Sequence, residues 1–122
     1  MQNYPSFDYH HAMPTPWGKA DHAYKICDGV YDVGTPGHGG IMVGKAKARI
    51  LLSEKAIARG MKWNQYICFE EDCDWSLFAF EQPKLYADSF KKHSLKPEEI
   101  TEEYVKNSAK KSIERWYPEY FI

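Results

Sequence analysis

The sequence predicts an α+β fold: a small antiparallel sheet of about four strands, packed by a C-terminal helix and one or two short helices. Three observations carry that expectation. Short β-forming runs separated by glycine turns occupy the first half, and an apolar stripe with helical spacing runs through 97–116. Hydrophobic residues make up 43% of the 122 residues and aromatics 16%, enough for one modest core. The expected organisation is an extended N-terminal arm over 1–16 and a single α+β domain over 17–122.

Residues 1–16 hold three prolines and no periodic apolar pattern. Their Tyr4, Phe7, Tyr9, His10 and His11 are expected to lie across the domain or across a partner. "KADHAYKI" at 19–26 and "VYDV" at 30–33 read as two strands around an Asp28-Gly29 turn. "IMVGKAKARILL" at 41–52 opens with β-formers and alternates at first, which predicts a third strand with Ile41 and Val43 facing one way. Ser53 is placed to cap a short helix, "EKAIAR", that Gly60 ends at the C′ position. "KWNQYICF" at 62–69 predicts a fourth strand.

Over 70–82, Trp75, Phe78, Ala79 and Gln82 at helical spacing favour a helix whose positive end carries the preceding carboxylates. Alternation of Trp75, Leu77 and Ala79 would also suit a strand. Pro83 interrupts this segment, and a helical turn is expected around "YADSFKKH". The last element is expected as one helix with Pro97 in its first turn. Glu98, Glu99, Glu102 and Glu103 lie toward its N-terminus, Lys110, Lys111 and Arg115 toward its C-terminus, and Val105, Ala109, Ile113 and Trp116 form the buried stripe.

Charge narrows the function classes. A formal net charge of -1 argues against strong binding to duplex DNA, because such binders show a basic surplus. No apolar run reaches the length of a membrane span, and the N-terminus lacks a secretory pattern, so the cytoplasm is the expected compartment. Cys27, Cys68 and Cys73 are odd in number and lack CxxC spacing, which suits reduced thiols.

The run "VGTPGHGG" at 33–40 places four glycines, a proline and a histidine within eight residues. Glycine-rich turns present backbone amides to anions, yet this run matches neither GxxxxGK[ST] nor GxGxxG opening a helix. A wide β-turn is the simpler reading. Gly37, Gly39, Gly40 and His38 are nonetheless candidate contacts, since loops carry function disproportionately.

The acidic run "EEDCDW" concentrates Glu70, Glu71, Asp72 and Asp74 beside Trp75. Four neighbouring carboxylates repel one another unless a cation or helix N-terminus relieves them. The spacing matches no EF-hand, the five histidines include no HExxH pair, and the adjacent Asp74 blunts Cys73 as a nucleophile. Neither catalytic nor metal-ligating residues are therefore assigned, and no cofactor is expected. Trp17, at the junction of arm and domain, and Lys19 complete the candidate binding set.

Taken together, "TPWGKAD" at 15–21, "GVYDVGTPGHGG" at 29–40, "EEDCDW" at 70–75 and "RWYPEYF" at 115–121 form a distinctive ordered set. The combination resembles a small domain-of-unknown-function family of phage- and plasmid-encoded proteins, whose pattern couples TPWGxAD, TPxHGG and EDCxW. The likeness covers most of 15–121 and transfers no catalytic residue. It implies a compact domain from a mobile element. By analogy, it implies a non-enzymatic accessory protein that binds and inhibits a host protein such as a defence nuclease, as anti-CRISPR proteins do. Two alternatives stand beside it. One is a nucleotide-signal sponge using the glycine loop; the other is a metal-dependent hydrolase using His38 with Asp72 or Asp74.

Overall fold

The computed structural model describes residues 13–122. Tyr4, Phe7, Tyr9, His10 and His11 of the expected arm lie outside the described residues. The remainder of that arm joins a two-stranded ribbon, β1 (Pro14–Thr15) with β2 (Gly18–Lys19), around Pro16-Trp17. Gly18 adopts φ +121° there, and Thr15 Oγ1 donates to the Gly18 carbonyl at 2.7 Å.

The main sheet is antiparallel, with five strands in the order β3 (His22–Cys27), β4 (Val30–Gly34), β5 (Gly39–Gly44), β7 (Tyr66–Glu70), β6 (Met61–Trp63). The Asp28-Gly29 turn joins β3 to β4 with Gly29 at φ +79°, as the sequence implies. Two sequence expectations need correction here. The third strand stops at Gly44, where its unbroken burial ends, and α1 (Lys45–Leu51) follows, with Ala48 and Leu52, four apart, as the next buried positions. The fourth strand is instead a hairpin, β6 and β7, turned by Asn64 at φ +52°.

The helices cover one face of the sheet. α2 (Glu54–Arg59) is capped by Ser53, which accepts from the Ala56 amide at 3.2 Å. Gly60 ends it at φ -70°, an ordinary conformation rather than a left-handed one. Residues 75–81 are helical (α3, Trp75–Glu81), and Pro83 starts α4 (Pro83–Lys91) at its first position. The carboxylates of 70–74 precede α3 instead of filling its first turn.

The terminal helix is likewise shorter than expected. Pro97–Glu99 form a separate 3-10 turn, Thr101 caps α5 (Glu102–Trp116) by accepting from the Tyr104 amide, and a second 3-10 turn, Pro118–Phe121, follows. Val105, Ala109 and Ile113 are buried, but Trp116 is 53% exposed. The stripe continues at Tyr117, four residues after Ile113, which packs on the core in its place.

The two sheet faces hold separate cores. Val30, Ile41, Val43, Ile67 and Phe69 meet Ala48, Ala56, Leu77, Phe78 and Ile113 under the helices. Tyr31, Val33, Met42, Tyr66 and Cys68 point the other way, where Met13, Trp17, Ala23 and Trp63 pack on them. Among the described residues no helix is long and apolar enough to cross a membrane.

Candidate functional site

The glycine run closes the β4–β5 hairpin at one end of the sheet. Thr35 and His38 lock the turn: the Thr35 amide and hydroxyl donate to the His38 carbonyl at 2.7 and 2.6 Å, and the His38 amide donates to Thr35 Oγ1 at 3.1 Å. Pro36, Gly37 and His38 form its exposed tip. Gly39 and Gly40 are buried in β5, between β4 and β7, so their backbone belongs to the sheet ladders and is not held out as an anion nest.

What the buried glycines provide is room for neighbouring side chains. The ring of His22 lies over Gly34, where an added Cβ would come within 2.7 Å of Nε2. A Cβ on Gly39 would meet the Val33 carbonyl at 2.5 Å and the Glu71 carboxylate at 3.2 Å. On the opposite face, a Cβ on Gly40 would meet the Trp17 indole at 2.7 Å. Gly37 faces open space.

Gly34 and Gly39 are register partners, so His22 and Glu71 sit side by side on a glycine floor. Asp32 is next along β4 on that face. Burial raises the Asp32 carboxyl above the ordinary carboxylate range; His22 and His93 draw it back, and Glu71 pushes it further up. Tyr24 stacks on His93, just beyond α4, with ring centroids 3.6 Å apart, and on His22 at 5.0 Å. No sequence motif marks this corner, because strand register and the return of α4 assemble it. The one advance signal was Gly34 on a strand, a position where another group approaches closely.

The acidic run divides. The Glu71 amide donates to the Gly39 carbonyl at 2.9 Å, which sets Glu71 and the exposed Asp72 beside the His38 turn, while Glu70 pairs with Gly40 in register and is half-buried. Asp74 turns away and accepts from the Tyr117 hydroxyl. Cys73 lies 3.7 Å from the same hydroxyl and 3.6 Å from Asp74. Burial, then Asp74, raises the Tyr117 hydroxyl; burial raises the Cys73 thiol, with Tyr117 lowering it and Asp74 raising it. A metal set of His38 with Asp74 is therefore not assembled, and among the described residues no group of His, Cys, Asp or Glu is arranged to hold a metal ion.

The aromatic candidates separate too. Trp17 packs on Gly40 under the sheet, Trp75 lies among the helices beside Tyr86, and Lys19 is exposed on the ribbon, so the two indoles do not share a site. Cys27, Cys68 and Cys73 are free thiols, and burial pushes Cys68 up to about 12.

The C-terminal turn is fastened to the helices. Glu81 accepts from the Ser53 amide at 2.7 Å, from the Ser53 hydroxyl and from the Tyr120 hydroxyl. Arg59 pairs with Glu119 and stands 4.3 Å from the Tyr117 ring centroid. Lys55 donates to the carbonyls of Tyr120 and Ile122 at 3.0 and 3.1 Å. These contacts wall a hollow of about 390 Å³ lined by Lys55, Arg59, Leu77, Tyr117 and Tyr120.

The fold and this corner define a small α+β domain whose glycine hairpin carries an exposed histidine, with the exposed carboxylates of Glu71 and Asp72 beside it at one end of the sheet. The chain belongs to the family described as Domain of unknown function (DUF7007), whose model matches residues 10–122. No curated protein and no solved structure matches the chain.

Proposed function

We propose that this chain is a non-enzymatic binding protein that engages a basic surface of a partner protein through the hairpin end of its sheet. One observation carries the reading. Glu71 and Asp72 stand exposed beside the exposed His38, and among the described residues no lysine or arginine pairs with Glu70, Glu71 or Asp72. Clustered carboxylates with no lysine or arginine partner among the described residues complement a positive groove and steer encounter with it. A nucleic-acid-processing host nuclease has such a groove. The resemblance to phage- and plasmid-encoded proteins makes an inhibitor of host defence the specific form of this proposal.

The test is co-elution with purified defence nucleases, with the nuclease's own activity as readout. The Glu71→Lys/Asp72→Lys double variant is expected to lose the complex while melting as the unaltered chain does. Undiminished binding by that variant would remove the acidic end from the account.

A further inference from the structure

A second region, on the helical side of the molecule, is built for a different occupant and does not rest on the reading above. Between α4 and α5 lies a cleft of about 300 Å³ lined by Trp75, Tyr86, Phe90, Ile100, Tyr104, Val105 and Ser108. Trp75, Tyr86 and Phe90 form a row, with successive centroids 5.6 and 5.8 Å apart and successive planes turned by 32° and 33°. Tyr104 enters from α5. Phe90 and Tyr104 remain 44% and 55% exposed, large aromatic area that the fold itself leaves at the cleft mouth.

The polarity of the cleft is one-sided. Its lining includes no lysine, arginine or histidine, so nothing there neutralises an anion. Tyr86 and Phe90, which wall the cleft, also pack with Ile26, Ser89 and Asp32 around a gap too tight for water, so Asp32 lies next to these two rings without lining the cleft itself. Among the described residues no lysine or arginine pairs with Asp32; the charged groups acting on it are His22, His93 and Glu71. Aromatic π-systems attract cations, most strongly large, weakly hydrated ones, and a nearby carboxylate adds to that attraction.

We infer that the Trp75–Tyr86–Phe90–Tyr104 cleft binds a methylated ammonium group, as in choline or a trimethylated lysine side chain, with Asp32 supplying the compensating charge. The cleft is large enough for such a head group, and an ordinary ammonium, more strongly hydrated, is disfavoured there.

Isothermal titration calorimetry tests this with choline against its neutral carbon isostere 3,3-dimethylbutan-1-ol. Choline is expected to bind about tenfold more tightly than the isostere. Tyr104→Ala removes one wall at an exposed position and is expected to weaken choline several-fold with the circular dichroism spectrum unchanged. Asp32→Asn is expected to weaken choline while leaving the isostere unaffected, a readout that misfolding would not mimic. Equal or tighter binding of the isostere, tighter binding of indole than of choline, or no heat from millimolar choline would each overturn the inference.

Discussion

Two regions of this domain carry similar carboxylates and put them to opposite uses. Near the C-terminal turn, Asp74, Glu81 and Glu119 are each engaged, by Tyr117, by Ser53 with Tyr120, and by Arg59. At the hairpin end, Glu71 and Asp72 have no cationic partner among the described residues. The difference shows where charge serves the fold and where it is left over. A carboxylate that fastens a terminal segment cannot also serve a partner, whereas one held beside a rigid hairpin tip costs the fold little and stays available.

The comparison predicts a graded set of outcomes. The largest effect belongs to a buried glycine at the hairpin end. Gly40→Ala forces a Cβ against the Phe69 carbonyl and the Trp17 ring, and is expected to destabilise by about 3 kcal/mol. Gly37→Ala, at the open tip of the same run, should change stability by about 0.5 kcal/mol at most, in the stabilising direction. Urea denaturation measures both, and comparable losses would show that the run acts through flexibility instead of close packing.

Next comes the fastened end. Glu81→Ala abolishes three hydrogen bonds and should cost about 2 kcal/mol, while Glu71→Gln at the free end should stay within about 0.5 kcal/mol. If the two lose equal stability, the contrast between the ends fails. A smaller coupling, about 1 kcal/mol, is expected in a double-mutant cycle of Asp74→Ala with Tyr117→Phe; simple additivity would mean that their hydrogen bond contributes nothing.

The smallest effect concerns Asp32 and depends on pH. Its folded carboxyl titrates above the unfolded value, because burial disfavours the charge. The folded state therefore holds this proton more tightly. The resulting stabilisation is complete below the unfolded pKa of about 3.9 and is lost as pH rises through the folded value. Asp32→Asn should accordingly raise the melting temperature at pH 7 and lose that advantage toward pH 3. A variant that melts lower at pH 7 would show the ionised carboxylate to be held by a partner.

Much of the architecture was legible in local chemistry. The Asp28-Gly29 turn, the Ser53 cap and the Val105–Ala109–Ile113 stripe depend on a few adjacent residues and appear where expected. Errors fell where two signals overlapped. The β-formers of 41–43 ran into "KAKARILL", whose helical spacing of Ala48 and Leu52 was masked by the preceding alternation. Asn64 turns β6 into β7 at φ +52°, a left-handed backbone that asparagine tolerates, within a run whose β-formers read as one strand. Trp116, three residues after Ile113, fits the helical stripe in sequence, but Tyr117 completes the four-residue spacing and packs on the core instead.

The candidate residues were legible to a lesser degree. His38, Glu71 and Asp72 do gather at one end, because the hairpin tip and the end of β7 are neighbours in the sheet. Asp74, Trp17 and Trp75 do not join them. Their directions depend on strand alternation and on where α3 begins, and a shift of one residue in either reverses the outcome.

The sequence alone determined the element types, most turns and the two apolar patterns, since each follows from contacts within a few residues. Tertiary structure decided which glycine lies under which side chain, which carboxylate finds a partner, and that His22, Asp32 and His93 meet at all. Those outcomes come from strand register and helix return, which join residues up to 71 positions apart and which no local propensity encodes.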